Sequence, residues 1–219
     1  MKNIFYRFLI GISSLVFIDT LTSQPINLRI AKNQVIKHYE SGAFELECKK
    51  IIDDAINYLE SNKKNFSNFK TVIFDVDDTV LHAFEHLKKL DFCDHCGDIL
   101  FNEFVHRADA PTISQVKRLY DYCIATNYHI IFLTGRHQEF YDSTVKNLKL
   151  HGYFTFDRLI CKSNQEKSLS PDQYKSSQRA GLVKDGFEII ACIGDQPLDF
   201  VGSHVGYAIK IPNYTHLLK

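Results

Sequence analysis

Three carboxylates are crowded into the segment Asp75-Val76-Asp77-Asp78-Thr79, directly after the apolar run Thr71-Val72-Ile73-Phe74. Acids packed this closely repel one another unless a cation lies among them. An apolar run that ends in acids is typical of a buried parallel strand, whose carboxyl end opens onto the crevice where α/β proteins bind ligands. The segment therefore predicts a divalent-metal site that also holds a nucleophilic aspartate.

Further polar groups follow later apolar runs, at the points where predicted strands end. Thr134 follows residues 128–133, Asp195 and Asp199 follow another run, and Lys175 lies near the start of a helix. Acids from two strand ends make an oxygen-rich cage of the kind that Mg²⁺ prefers. A hydroxyl and an ammonium group can balance the charge of a bound phosphate.

The elements that must position these groups alternate along the chain as β-α-β-α-β-α-β-α-β. This order predicts an α/β fold, Rossmann-like, with a parallel sheet and helices on both faces. The first strand is predicted at about residues 70–76 and the second at 128–133, with a helix over 112–127 opened by Pro111. Because the carboxyl ends of parallel strands share one edge of the sheet, the polar groups should converge there.

The first residues have the pattern of an export signal. Lys2 and Arg7 precede an apolar run over residues 8–18, which is too short to span a bilayer comfortably. We therefore predict a signal peptide over residues 1–23, a periplasmic or secreted protein, and no transmembrane span in the mature chain. The alternative is an apolar N-terminal helix of a cytosolic protein.

The rest of the chain divides into two predicted parts. Apolar positions at helical spacing predict an N-terminal helical extension over residues 24–64, and the catalytic domain is predicted over 65–219. Residues 81–110 are rich in Phe and His without a clean period. We expect an insertion there, a cap over the carboxyl end of the first strand that excludes water and selects the substrate. A helical excursion with no substrate role is the alternative.

Overall charge gives no indication of a polyanionic partner. Lys+Arg 26 balances Asp+Glu 26 in the 219 residues, so no net field attracts nucleic acid or an anionic membrane. No nucleic-acid polymer is therefore expected as a partner.

Two of the six cysteines, Cys93 and Cys96, have suggestive spacing. Three states are open for them: a zinc site with nearby histidines, a disulfide (local, or from one of them to Cys48), or free packed thiols.

The chain resembles the haloacid dehalogenase (HAD) superfamily of aspartate-nucleophile phosphohydrolases over about residues 70–212. The superfamily motifs that carry the resemblance are Asp75-Val76-Asp77-Asp78-Thr79, Thr134, Lys175 and Gly194-Asp195-Gln196-Pro197-Leu198-Asp199. More narrowly, the chain is similar to the acid phosphatase branch (subfamily IIIB) that contains class B-like enzymes and plant vegetative storage proteins. The narrower features are Leu133-Thr134-Gly135-Arg136 and Tyr174-Lys175-Ser176-Ser177-Gln178-Arg179.

The resemblance implies a role for each acid. Asp75 attacks phosphorus and becomes an aspartyl phosphate, and Asp77 first protonates the leaving oxygen and then deprotonates the attacking water. Mg²⁺ is implied to be held by the Asp75 carboxylate, the Asp77 backbone carbonyl and Asp195, with Asp199 in an outer sphere. Asp78 is interpreted as a helix cap or a supporting group.

The resemblance also implies how the substrate is held. Thr134 and the backbone near Gly135 would bind phosphoryl oxygens, and Lys175 would neutralise their charge. Together with the predicted export signal, the resemblance implies an exported, Mg²⁺-dependent acid phosphatase acting on small phosphomonoesters, with nucleoside monophosphates as candidates.

Several alternatives stay open on the residues alone. Arg136 could contact substrate or pair with an acid of the site, and Lys162 or Lys167 could take the place of Lys175. A storage or binding protein on the same fold, with weak catalysis, is one other function. A phospho-signalling receiver, which also combines acids, Mg²⁺, Thr and Lys, is a further one.

Overall fold

The computed structural model describes residues 25–63, 69–93 and 97–217, so the predicted signal peptide lies outside the described residues. Helices and strands alternate through most of this part of the chain. In chain order they are α1 (Leu28–Glu40), α2 (Ala43–Asn62), β1 (Lys70–Phe74), α3 (Phe84–Lys89), α4 (Gly97–Arg107), α5 (Ser114–Ala125), β2 (His129–His137), α6 (Tyr141–Leu150), β3 (Arg158–Lys162), α7 (Pro171–Lys184), β4 (Glu188–Gly194) and β5 (Tyr207–Lys210).

The five strands form one parallel sheet in the order β3-β2-β1-β4-β5. β1 lies at its centre, with Phe74 level with Phe132 of β2 and with Ile193 of β4. The chain winds to one side of β1 through β2 and β3, and to the other side through β4 and β5. The carboxyl end of β1 therefore lies where the winding direction reverses, which is the usual ligand crevice of such sheets. The predicted α/β fold is confirmed.

Helices cover both faces of the sheet because the strands are apolar on both faces. Val72 and Phe74 of β1 pack in the larger core with α2, α5 and α6, while Ile73 between them points the other way. Ile73 packs in a smaller core with Tyr174 and Leu182 of α7. Alternation along a strand thus sends neighbouring residues into two different cores.

The N-terminal helices lie directly on this core. α2 begins after Gly42, which adopts φ 79, a backbone conformation that a residue with a side chain rarely takes. Its buried face, which includes Cys48, Ile52 and Leu59, belongs to the larger core. α1 buries no residue completely.

Several element boundaries differ from the sequence prediction, and three of them bear on the site. α5 begins at Ser114 rather than at residue 112, because Thr112 bridges Leu81 and its hydroxyl donates to the Val80 carbonyl at 3.0 Å. β2 continues to His137 instead of ending at residue 133, so Thr134 lies within the strand. β1 ends at Phe74 rather than at residue 76, which leaves Asp75 as the first residue beyond it.

No helix of the described residues is long and apolar enough to cross a membrane.

The described cysteines fall into two groups. Cys48, Cys123, Cys161 and Cys192 are buried free thiols. Cys93 is disulfide-bonded, which agrees with one of the three states left open, and Cys96 lies outside the described residues.

Candidate active site

Three buried carboxylates meet at the carboxyl ends of the adjacent strands β1 and β4. Asp75 follows β1, and Asp195 and Asp199 follow β4; one oxygen from each lies within 4.8 Å of the others. The Asp75 backbone N–H donates to the Ile193 carbonyl at 2.9 Å, which extends the pairing of the two strands to the first acid. The structure therefore brings together acids that are 120 positions apart in the chain.

Lys175 of α7 reaches the same cluster. α7 packs on the face of the sheet opposite to α2, α5 and α6. Its Nζ lies 2.5 Å from Asp75 Oδ1 and 2.5 Å from Asp199 Oδ1. The start of α7 is fixed by Pro171 and by a capping box in which Ser170 and Gln173 satisfy each other's backbone groups. A rigid helix start thus places the ammonium group between two acids.

The cluster is short of positive charge. Three ionised carboxylates against one ammonium leave two uncompensated negative charges. Burial, with repulsion from Asp199 and Asp195, raises the pKa of Asp75 well above its usual range despite the opposing effect of Lys175. Burial also raises the pKa of Asp195. For Lys175, burial lowers the pKa, but the charges of Asp75 and Asp199 outweigh it and the pKa rises.

The oxygen atoms available in the cluster fit a divalent cation. The Thr79 hydroxyl lies 3.1 Å from Asp75 Oδ2 and 3.2 Å from Asp195 Oδ1, so it spans the two acids. A hydroxyl has one hydrogen and can donate to only one of them at a time. The cluster offers carboxylate oxygens with free lone pairs, which are the ligands that a hard divalent cation prefers. Such a cation would also supply the two positive charges that the cluster lacks.

The carboxylate of Asp77 is separate from this cluster and has its own basic partner. Arg136 Nη2 donates to Asp77 Oδ1 at 2.7 Å, and its Nε lies 3.1 and 3.0 Å from the two carboxylate oxygens. The Arg136 side chain is 1% exposed and also donates to Thr144 Oγ1 at 3.0 Å. Of the two roles left open for Arg136, the structure shows the pairing with an acid.

The two groups expected to bind phosphate lie beside that pair. Thr134 is buried, and its hydroxyl is 3.5 Å from Asp77 Oδ2 while it accepts the Arg136 backbone N–H at 3.1 Å. Gly135 is exposed and lines the same cavity as the acids.

Asp78 supports the turn that carries the other acids. Its backbone adopts φ 50, and its carboxylate accepts the Ala83 N–H at 2.9 Å, next to the start of α3. Removal from water and the nearby charge of Asp195 raise the pKa of Asp78 to about 7. This position agrees with the supporting role expected from the sequence.

The loop after β4 is held by two residues whose roles the sequence did not indicate. A Cβ on Gly194 would lie 2.1 Å from Asp199 Oδ2, so only glycine lets Asp199 fold back over the strand end. Arg179 of α7 is buried and donates to the backbone carbonyls of Asp199, Val201 and Ser203. Arg179 lies in one of the motifs that carry the family resemblance, but its hydrogen bonds depend on tertiary contacts.

A cavity of about 720 Å³ opens over these groups. Asp75, Asp77, Lys175 and Asp195 are among the residues that line it. A second, largely apolar group of lining residues comes from α3, the turn after it and α4, within the segment expected to form a cap. This group includes His86, Leu87, Leu90, Phe92, Leu100 and Phe101. Lys175 is the lysine among the described residues that line this cavity, whereas Lys162 donates to the Leu169 carbonyl.

Known proteins are similar to this chain in sequence. Residues 20–217 match the model of the HAD superfamily, subfamily IIIB (acid phosphatase). Acid phosphatase 1 of Solanum lycopersicum is 29% identical over 184 residues, which cover 81% of this chain and 71% of that protein. Vegetative storage protein 1 of Arabidopsis thaliana is 27% identical over 175 residues, or 79% of this chain and 64% of that protein.

The fold is also found among solved structures. The class C acid phosphatase from Bacillus anthracis with tungstate bound superimposes with a TM-score of 0.71 at 17% identity, covering 86% of this chain and 87% of that one. At that identity the likeness concerns the fold. The family match extends over most of the chain, and the chain therefore belongs to the HAD superfamily, subfamily IIIB, the acid phosphatases.

Proposed function

We propose that this acid phosphatase is Mg²⁺-dependent and hydrolyses small phosphomonoesters through an aspartyl-phosphate intermediate on Asp75. The observation that carries the proposal is that Asp75, Asp77, Lys175 and Asp195 line one cavity. A nucleophile, an acid/base group, a cation and a metal ligand are the parts that transfer of a phosphoryl group to a carboxylate requires.

The proposed reaction has two steps. In the first, an Asp75 carboxylate oxygen forms a bond to phosphorus, the bond from phosphorus to the leaving oxygen breaks, and Asp77 gives that oxygen its proton. In the second, Asp77 takes a proton from water, the water oxygen bonds to phosphorus, and the bond to Asp75 breaks. Inorganic phosphate and the unmodified enzyme result, so Asp77 acts once as an acid and once as a base.

Repulsion between the Asp75 carboxylate and the phosphate dianion must be offset before attack. Lys175 would neutralise part of that charge, and Thr134 with the Gly135 backbone would hold phosphoryl oxygens. Asp75, Asp195 and the Asp77 carbonyl would hold Mg²⁺, with Asp199 supporting from farther out. Bound there, the cation supplies the remaining positive charge and polarises the phosphoryl group.

The cavity favours a small ester with an organic group. Its volume, about 720 Å³, exceeds what a phosphate needs and falls in the range of small-molecule sites. We propose that α3 and α4 act as the cap, with Phe92 and Phe101 against the organic part of the substrate. Nucleoside monophosphates, whose bases stack on aromatic rings, are candidates.

The nucleophile is tested by Asp75→Asn, which keeps the shape of the side chain but removes the attacking oxygen anion. We expect turnover of an aryl phosphate to fall at least about a thousandfold, while the matched variant Asp54→Asn, at an exposed position of α2, keeps its rate. Asp77→Asn should accumulate protein carrying one phosphoryl group, detectable by mass spectrometry. Undiminished turnover by Asp75→Asn would refute the mechanism.

A storage role with weak catalysis is a second candidate, because a relative is named vegetative storage protein 1. The presence of both Asp75 and Asp77 speaks against it, and membership of the acid phosphatase subfamily speaks against a signalling receiver. Negligible turnover on a broad panel of phosphomonoesters, with and without Mg²⁺ at pH 4–8, would favour storage.

We further propose that the protein is exported. The basic, apolar and small-residue order of residues 1–23 supports this, as does the disulfide-bonded state of Cys93, since structural disulfides persist in oxidising compartments. Expression of the full chain in its host, followed by fractionation and N-terminal sequencing, tests it. Protein that remains in the cytosol with its first residue unchanged would contradict export.

A further inference from the structure

The chain turns back over the active site after β5. Asn213 Nδ2 donates to Asp195 Oδ2 at 2.7 Å and lies 3.3 Å from Asp78 Oδ2. The amide oxygen of Asn213 accepts from the Thr215 backbone N–H, the Thr215 hydroxyl and the His216 N–H at 2.8, 2.9 and 3.1 Å. Three donors at this oxygen fix the orientation of the amide, so its NH₂ group must face the acids.

These bonds determine which oxygen of Asp195 is free for a cation. Asp195 Oδ2 also accepts from Gln196 Nε2, so two N–H donors occupy that oxygen. The other oxygen, Oδ1, lies 3.2 Å from the Thr79 hydroxyl, which itself lies 3.1 Å from Asp75 Oδ2. Groups that hydrogen-bond one oxygen of a ligating carboxylate set the direction of the other.

We propose that Asn213 is a positioning residue for the metal-binding carboxylate of Asp195, and that residues 213–216, the C-terminal segment, form part of the active site. The inference rests on the proposed metal-dependent function. Thr215 and His216 of this segment line the same cavity as Asp75, and Gln196 Nε2 lies 3.3 Å from the His216 carbonyl.

The N-terminal helices hold the C-terminal segment in place. The Tyr214 hydroxyl lies 3.0 and 2.9 Å from the two carboxylate oxygens of Glu47 in α2. The Tyr214 ring packs edge-on against His38 of α1 at 4.8 Å between centroids, and its backbone N–H lies 3.5 Å from the Tyr39 hydroxyl. The helical extension thereby acts on the metal site through Tyr214 and Asn213.

The test is Asn213→Leu, which keeps much of the volume of the side chain but donates no hydrogen bond. Metal binding is measured directly, by titrating each protein with Mn²⁺ in electron paramagnetic resonance and displacing it with Mg²⁺. We expect affinity to fall by about ten- to a hundredfold, the usual effect of losing a group that orients a ligand. At saturating Mg²⁺, kcat should recover to within a few fold of the wild type, whereas a merely structural defect would lower kcat at every Mg²⁺ concentration.

Two further variants complete the experiment. Asn164→Leu makes the same change at an exposed position away from the cavity and should bind Mn²⁺ like the wild type. Tyr214→Phe removes the bonds to Glu47 but keeps the ring, so it should weaken Mn²⁺ binding less than Asn213→Leu does. If Asn213→Leu fails to fold, Asn213→Ser, too short to reach Asp195, takes its place.

The outcomes separate this inference from the proposed function. Wild-type protein that binds no Mn²⁺ and hydrolyses phosphomonoesters without metal contradicts the proposed function itself. Wild-type protein that binds Mn²⁺ while the Asn213 variant binds it within twofold as tightly contradicts only the positioning role.

Discussion

At the scale of single residues, the two acids expected to do the chemistry differ in their basic partners. Asp75 contacts Lys175 in a buried cluster with two other acids, whereas Asp77 is about one-third exposed and pairs with Arg136. The first arrangement suits a nucleophile that needs charge compensation. The second holds a carboxylate in a fixed direction at the cavity, as an acid/base group requires.

Arg136→Lys should separate the orientation of Asp77 from its charge. Lysine keeps the positive charge but cannot make the forked contact with both carboxylate oxygens. We expect kcat to fall about ten- to a hundredfold for alkyl phosphates, whose leaving oxygens need a proton, and much less for p-nitrophenyl phosphate, whose leaving group does not.

Steady-state kinetics on a series of leaving groups measures this difference. Arg118→Lys, at a partly exposed ion pair with Asp53, is the matched control and should leave both rates unchanged. An equal loss for all leaving groups in Arg136→Lys would contradict a role in orienting the proton donor.

Two glycines at the site should respond differently to alanine. A Cβ on Gly135 meets no atom within 4 Å, whereas one on Gly194 would lie 2.1 Å from the Asp199 carboxylate. Gly135→Ala should therefore keep its unfolding free energy to within about 1 kcal/mol but raise KM about tenfold, by placing a methyl where phosphate approaches. Gly194→Ala should be destabilised by about 2–3 kcal/mol.

Thermal unfolding and phosphatase kinetics on both variants check this pair. An unchanged melting temperature for Gly194→Ala would contradict the close approach of Asp199. An unchanged KM for Gly135→Ala would contradict the proposed phosphate position.

At the scale of elements, an aromatic cluster joins the N-terminal helices to the turn that carries the acids. His82 stacks on Phe44 of α2 with ring centroids 5.2 Å apart and planes at 4°, and Tyr39 of α1 stacks on Phe84 of α3 at 4.2 Å. Burial in this cluster lowers the pKa of His82 to about 4. Three helices, α1, α2 and α3, therefore pack around one histidine that the fold keeps neutral.

His82 should make stability depend on pH in a defined direction. Its pKa is about 6.5 in the unfolded chain and about 4 in the folded protein, so the unfolded chain binds more protons between these values. The stability present above pH 6.5 is therefore lost as the pH falls toward 4. The loss between pH 7 and 5 should be at most about 2 kcal/mol.

The measurement compares wild type with His82→Phe, which keeps a ring for stacking but cannot take up a proton. Denaturant unfolding at pH 7 and pH 5, with chelator present, gives the free energy of unfolding for each. The difference between the two proteins isolates His82, since the buried acids are common to both. The variant should gain stability relative to wild type at pH 5; a constant difference would show that His82 does not titrate in this range.

At the scale of the whole molecule, a chain without net charge gathers three carboxylates and one ammonium group in one buried cluster, which leaves two uncompensated negative charges when all three acids are ionised. That concentration costs stability in the metal-free protein because burial and mutual repulsion both disfavour the ionised acids. A cation that binds only the folded state should therefore stabilise the whole domain, by about 2.7 kcal/mol at a hundred times its Kd.

Metal removal should reveal this coupling in thermal unfolding. We expect Mg²⁺ to raise the melting temperature of the wild type and a chelator to reverse the rise. Asp195→Asn should lose the response and, without metal, should be at least as stable as the wild type, because one of the crowded charges is gone. Asp54→Asn should respond like the wild type, and a full Mg²⁺ response in Asp195→Asn would contradict this metal site.

Local patterns were sufficient for much of the fold. The 3.6-residue period predicted α2, the β-α alternation predicted a parallel sheet, and apolar runs ending in Asp75, Thr134 and Asp195 predicted where the polar groups would meet. Local patterns were sufficient because the spacing of apolar residues along the chain follows the period of the strand or helix that they form. Residues 81–110 showed no such period, since α3 and α4 place apolar side chains on both the core and the cavity.

The sequence by itself determined the family, the sheet and the acids at the ends of β1 and β4, because each depends on residue types in a short local order. Only the tertiary structure decided which partner each acid takes. Arg136 pairs with Asp77, Arg179 holds the loop after β4, and Asn213 reaches Asp195. These bonds join residues that are separated along the chain. They depend on the direction of each side chain in the folded protein, which the spacing of residues along the chain does not give.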